Sequence, residues 1–183
     1  DQARAKGYTG KGVSIAMIDG KVDTGVPELA GAQVASESPC TINSSPAVTS
    51  HGTGVASILV AQGYGVAPEA SLRAYQITLG GDGDTSGSDC KGESGDDRDN
   101  LPWLLNRAMN DGAQIINVSA SSISSAKALK WTVARSMAQG VIITAAAGNE
   151  AQDDDDTSLS KWSGVVGVSA IGVDSARQDY SSW

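Results

Sequence analysis

Short apolar runs alternate along this chain with segments of helical pattern, and that alternation constrains the fold more than any other feature. Residues 13–18, 113–118, 141–147 and 165–171 are too short and too uniformly apolar for exposed helices, and 70–77 alternates; all five read as strands. Residues 52–61 read as a helix of small and branched side chains. Residues 101–110 read as another, which Asp99 or Asn100 can cap, with Pro102 in its first turn and Gly112 after its end. Residues 124–139 form an amphipathic pattern closed by Gly140. Strands buried on both faces with helices between them imply a parallel sheet in an α/β fold. Three stretches read as loops: 33–50 with Cys40, 78–99 rich in Gly, Asp and Ser with Cys90, and the acidic turn at 153–156. No internal repeat or linker divides the chain.

Composition narrows the function classes. With 183 residues the chain can bury a core of its own, and 40% hydrophobic residues place it among globular proteins. Thirteen basic residues against 21 acidic ones give a net charge of −8, a poor match to nucleic acid or an anionic membrane, so neither is expected as a partner. No apolar run approaches the roughly 20 residues that span a bilayer. No charged-then-apolar leader opens the sequence, so a signal peptide is expected to be absent or already removed. Cys40 and Cys90 are too few for a typical zinc site and either stay free or form one bridge. The bridge is favoured, because both loops otherwise carry an exposed thiol, and it fits a secreted or extracytoplasmic protein.

Histidine moves protons near neutral pH, and His51 is the one histidine present. It stands in Ser50-His51-Gly52-Thr53-Gly54, where the glycine and the small residues beyond suggest a helix start packed closely against a neighbour. Asp19 closes the first strand, at the carboxyl end where parallel sheets place their sites; Asp23 lies beyond the strand end and is the weaker candidate. Asn149 follows Ala145-Ala146-Ala147-Gly148, a stretch that lets a ligand approach the backbone, and its amide can donate to a developing oxyanion. Ser119 ends the strand at 113–118 with an open backbone edge. Each alone reads as readily as a structural residue: a buried histidine, a helix cap, a turn asparagine, a strand terminator.

Taken in order, these residues resemble the subtilisin-like serine proteases. Gly10-Lys11-Gly12-Val13-Ser14-Ile15-Ala16-Met17-Ile18-Asp19 is similar to that family's approach to its catalytic aspartate, and Val22-Asp23 with Pro27-Glu28-Leu29 continues it without a gap, which selects Asp19 over Asp23. His51-Gly52-Thr53 resembles the catalytic histidine motif, and Gly65-Val66-Ala67-Pro68 the next landmark. Ile115-Ile116-Asn117-Val118-Ser119 resembles the strand that pairs with substrate, and residues 145–150 the oxyanion-asparagine motif. The resemblance implies an α/β fold, a subtilisin-like three-layer sandwich with a mainly parallel sheet, covering 1–183 as a peptidase domain that stops before its serine motif. It implies His51 as general base, Asp19 as the group that orients it, and Asn149 as oxyanion donor. Ser119, Ala120 and Ser121 would hold peptide substrate as an added strand, with Ala146 and Gly148 in one wall of the adjoining pocket.

The pattern also departs from the family. No Gly-Thr-Ser-Met-Ala motif occurs, and Ser181 and Ser182 lack the Gly-Thr before and the helix after that a nucleophile needs. The chain alone is therefore expected to be inactive, either as part of a longer protease whose remaining C-terminal segment is its partner, or as a non-catalytic peptide-binding homologue. Loss of the helix that carries the family's serine would leave a large apolar face open. Gly20-Lys21 replaces the usual Ser/Thr-Gly after the aspartate, and Gly54 stands where many members have a second histidine. The loop that forms the family's calcium site looks absent although Glu28 falls on a ligand position, so no cofactor and no metal are expected. Glu150, near the pocket mouth, suggests a preference for basic side chains. A phosphoacceptor domain is excluded by the missing acidic pair and lysine, and a nucleotide-binding loop by glycines that precede their strand.

Overall fold

The computed structural model describes residues 2–78, 100–119, 126–153 and 158–183. After a single helical turn, α1 (Gln2–Ala5), the first strand β1 (Ser14–Asp19) runs through the middle of the molecule, with Ile15 to Asp19 all buried. Then follow β2 (Gln33–Glu37), α2 (Pro46–Val60), β3 (Ser71–Gln76), α3 (Leu101–Asn110), β4 (Ile115–Val118), α4 (Ala126–Gln139), β5 (Ile142–Ala146) and β6 (Val165–Val168). The strands form one six-stranded sheet in the order β2-β3-β1-β4-β5-β6, and every paired neighbour is parallel. From β1 the chain first builds one side of the sheet and then crosses to the other, so the order reverses beside β1, between it and β4. The carboxyl ends of strands flanking such a reversal are where α/β sheets hold ligands.

Helices cover both faces, which makes three layers. On one face α3 and α4 bury Leu101, Leu104, Leu105, Ala108, Leu129 and Val133 against Ile18, Tyr75, Ile116 and Ile143. The α3 spacing (101, 104, 105, 108) is that of one helical stripe. Asn100 caps α3 by accepting the Trp103 N–H at 2.9 Å, and Pro102 sits in its first turn. Gly112 and Gly140, at φ +84° and +71°, turn the chain after α3 and α4. On the opposite face Ala56 and Val60 of α2 pack on Ile15, Met17, Leu72 and Ala74.

The sequence reading needs correction in several places. Residues 33–50, read as a loop, contain β2 and the first turn of α2. β2 is an edge strand paired only with β3 and largely exposed, so it carries no apolar signature. Helix α2 begins at Pro46, capped by the Ser45 hydroxyl accepting the Val48 N–H, so His51 lies inside the helix rather than at its start. The last run ends at Val168, and Ile171 instead makes an isolated antiparallel bridge with Arg177. Burial on both faces holds for β1 but not for the far side of the sheet: Ile142, Val166 and Val168 are 52, 52 and 51% exposed. That open face lies opposite α3 and α4, beyond the reach of α2. Cys90, Ala120, Ser121 and Asp154 to Asp156 lie outside the described residues. Asp153 pairs with Lys161.

Candidate active site

Strand register assembles the site. Ile18 pairs with Val118 and Val118 with Ala145, so Asp19, Ser119 and Ala146 stand in one row across the carboxyl ends of β1, β4 and β5. Asp19 ends β1 with its side chain fully buried. Helix α2 brings His51 over it, with Nδ1 2.8 Å from Asp19 Oδ1 and half of the imidazole side chain exposed. Gly52 permits that approach: a Cβ there would lie 2.6 Å from the Gly20 carbonyl oxygen and 2.7 Å from that of Lys21. The motif's glycine therefore lets α2 rest directly on the backbone that follows Asp19.

Electrostatics define what this pair can do. An ionised carboxylate only accepts hydrogen bonds, so opposite an ionised Asp19 the proton sits on Nδ1 and Nε2 keeps its lone pair. Burial holds the Asp19 carboxyl above its ordinary range, opposed by the hydrogen bond and charge of His51 and by the Gly20 N–H. That N–H donates to the same oxygen, Oδ1, at 2.6 Å. Among the described residues Oδ2 is buried without a hydrogen-bond partner. The glycine at position 20 has no hydroxyl to offer it. The chemistry within reach is proton transfer at Nε2 with the resulting imidazolium stabilised by Asp19.

The other candidates surround this pair. Ser119 is half-buried just past β4, and its hydroxyl accepts from Asn117 Nδ2 at 2.8 Å; Asn117 Oδ1 in turn accepts from Thr144 of β5 at 3.0 Å. This polar relay was missed in the sequence reading, although an asparagine in the middle of an apolar strand signals it. Ala146 is exposed at the end of β5, Gly148 follows at φ +104°, and Asn149 is exposed in the turn beyond. Ser181 and Ser182 are fully buried, with their hydroxyls bonded to the Ala170 N–H and the Glu150 N–H. Asp23 accepts the Gly25 N–H and does not touch His51 in any hydrogen bond described. Glu28 lies in the turn Pro27–Leu29, and among the described residues no group of three or more His, Cys, Asp or Glu side chains gathers to hold a metal ion. Nor is any described helix long and apolar enough to cross a membrane.

The chain resembles known proteins in both sequence and fold. The chain is 30% identical over 189 residues to subtilisin E of Bacillus subtilis (strain 168), a match covering 97% of the chain and 46% of that protein. Subtilisin-like protease 1 of Trichophyton rubrum is 27% identical, covering 100% of the chain and 36% of that relative. The chain thus spans about half the length, or less, of these relatives. Among solved structures, the prenylagaramide maturation protease PagA superposes with a TM-score of 0.78 at 23% identity, covering 100% of this chain and 62% of that one. A cold adapted subtilisin-like serine proteinase gives 0.70 at 23%, covering 96% and 61%. Both share the fold of this chain, a mixed α/β structure on a parallel sheet. A sequence model of the subtilase family, Peptidase_S8, matches residues 10–183. This chain belongs to the subtilase family.

Proposed function

We propose that the intact protein is a serine endopeptidase in which Asp19 orients His51 and His51 Nε2 takes the proton of a serine hydroxyl, then returns it to the leaving amine. The observation that carries this reading is the 2.8 Å contact between a fully buried carboxylate and a half-exposed imidazole. Asn149 would donate to the tetrahedral oxyanion. Residues 119–121 would pair with the peptide as an extra strand, with Ala146 and Gly148 walling the adjoining pocket. A peptide substrate is consistent with a structural neighbour described as a macrocyclase in complex with peptide.

The nucleophile in this reading comes from sequence beyond residue 183. Its support is the open face of β5 and β6, where Ile142, Val166 and Val168 await cover. A following helix seated there would bury these residues and bring its first turn toward His51. Residues 1–183 then form the first part of one peptidase domain, and the rest of that domain is its partner. A bridge between Cys40 and Cys90 and an extracytoplasmic location complete the proposal, and no metal is invoked. A non-catalytic peptide-binding homologue is the second reading, favoured by the absence of a Gly-Thr-Ser motif from the sequence.

Assaying the full-length product on a protein substrate separates the two. The first reading expects hydrolysis that His51→Ala abolishes, since members of a triad act as a unit. Binding of peptide without cleavage by the folded, full-length protein would establish the second.

A further inference from the structure

The turn after β5 holds a carboxylate in an unusual place. Gly148 adopts φ +104°, and a Cβ there would stand 2.5 Å from Glu150 Oε2. The glycine thus leaves the space into which the Glu150 side chain folds back. Oε2 accepts the Asn149 N–H at 2.7 Å and the Ser182 hydroxyl at 3.3 Å. The same hydroxyl accepts the Glu150 N–H at 3.1 Å, and the Ser182 N–H donates to the Gly148 carbonyl at 3.0 Å. Ser182 is fully buried and is itself fixed by Ser169 Oγ, which donates to its carbonyl at 2.9 Å. The turn bearing Asn149 is therefore clasped from both sides, by its own glutamate and by a serine more than thirty residues later in sequence.

We propose that Glu150 is a positioning residue for Asn149, anchored by Ser182, and not a charge that selects basic side chains in the substrate. This rests on the reading of Asn149 as the oxyanion donor. A carboxylate turned onto the Asn149 N–H fixes the backbone from which the Asn149 amide projects. Its Oε2 is engaged by that N–H and a buried hydroxyl. The function of Ser182 follows from the same contacts: it ties the β5 turn to the segment after β6 and has no free hydroxyl for nucleophilic attack.

The test compares Glu150→Ala with Glu150→Gln, which keeps an acceptor oxygen without the charge, in the full-length protein. Positioning predicts that Glu150→Ala lowers kcat about 10-fold with KM nearly unchanged, part of the roughly 10²–10³ that one oxyanion donor supplies. It predicts that Glu150→Gln restores kcat to within about 3-fold of wild type and that neither variant alters the ratio of rates on lysine and leucine substrates. A collapse of the lysine-to-leucine ratio in both variants would overturn it. Should the protein prove not to cleave peptides, hydrogen exchange at the Asn149 amide still decides the contact. About 10-fold faster exchange in Glu150→Ala, with Glu150→Gln close to wild type, supports the clasp, and unchanged exchange in Glu150→Ala overturns it.

Discussion

Asp19 shows what the candidate site costs the fold. Its carboxyl is held above the ordinary range chiefly by burial, so the folded state keeps the proton more tightly than the unfolded one. A raised acid contributes stability that is full below the unfolded value of 3.8 and is lost as pH rises through the folded value. At neutral pH the ionised group is therefore a net liability, and an amide left without a partner costs less than a carboxylate. Asp19→Asn should stabilise the protein by about 0.5–2 kcal/mol at pH 7 in urea titrations, with the gain gone below pH 4, while peptidase activity falls about 10⁴-fold. An Asp19→Asn variant less stable than wild type at pH 7 would contradict this. Asp111 has the opposite sign. Burial pushes its carboxyl up, but the Tyr75 hydroxyl at 2.7 Å, with Arg107 and Arg73, more than offsets this and holds it below the ordinary range. Its contribution is present above pH 3.8 and disappears as pH falls through the lower folded value, so Asp111→Asn should destabilise at pH 7 and converge with wild type in acid. The identities of Asp19 and His51 were legible in the sequence because each stands in a compact local motif. The Ser182 clasp was not, because it joins distant segments through a residue whose local context is an ordinary turn.

The packing of α2 on the β1 end sets the geometry of the Asp19–His51 pair. Gly52→Ala would press a methyl against two carbonyl oxygens at 2.6 and 2.7 Å, and only movement of the helix relieves that. The expected outcome is a loss of about 1–3 kcal/mol in chemical denaturation, with peptidase activity falling more steeply than the folded fraction. Equal loss of both would mean that Gly52 serves packing alone. Leu104→Ala in α3, by contrast, should cost about 2–5 kcal/mol and leave kcat unchanged, since Leu104 is fully buried against the sheet face that carries no candidate site residue. Elements whose burial is one-sided or complete were legible: α3 was bounded correctly from its cap and its stripe, and β1 was found from its uniform apolarity, read one residue early at each end. β2 was not, because an edge strand beside one neighbour needs no apolar pattern. The start of α2 was also missed, because its first turn carries no apolar periodicity and only Ser45-Pro46 marks it.

The molecule as described is asymmetric: α3 and α4 pack along one sheet face from β3 to β5, whereas on the other α2 packs on β1 and β3. The apolar runs foretold a sheet but not which strands would be open on one face, since Ile142, Val166 and Val168 stand in runs as apolar as those of the buried strands. Under the proposed peptidase function the nucleophile is a serine outside residues 1–183. Fluorophosphonate labelling with mass-spectrometric mapping tests that most directly. The intact protein should take one label, on a serine outside residues 1–183, and lose it in His51→Ala, while residues 1–183 alone take none. Labelling of Ser181 or Ser182, or labelling of the intact protein that persists without His51, would contradict the account.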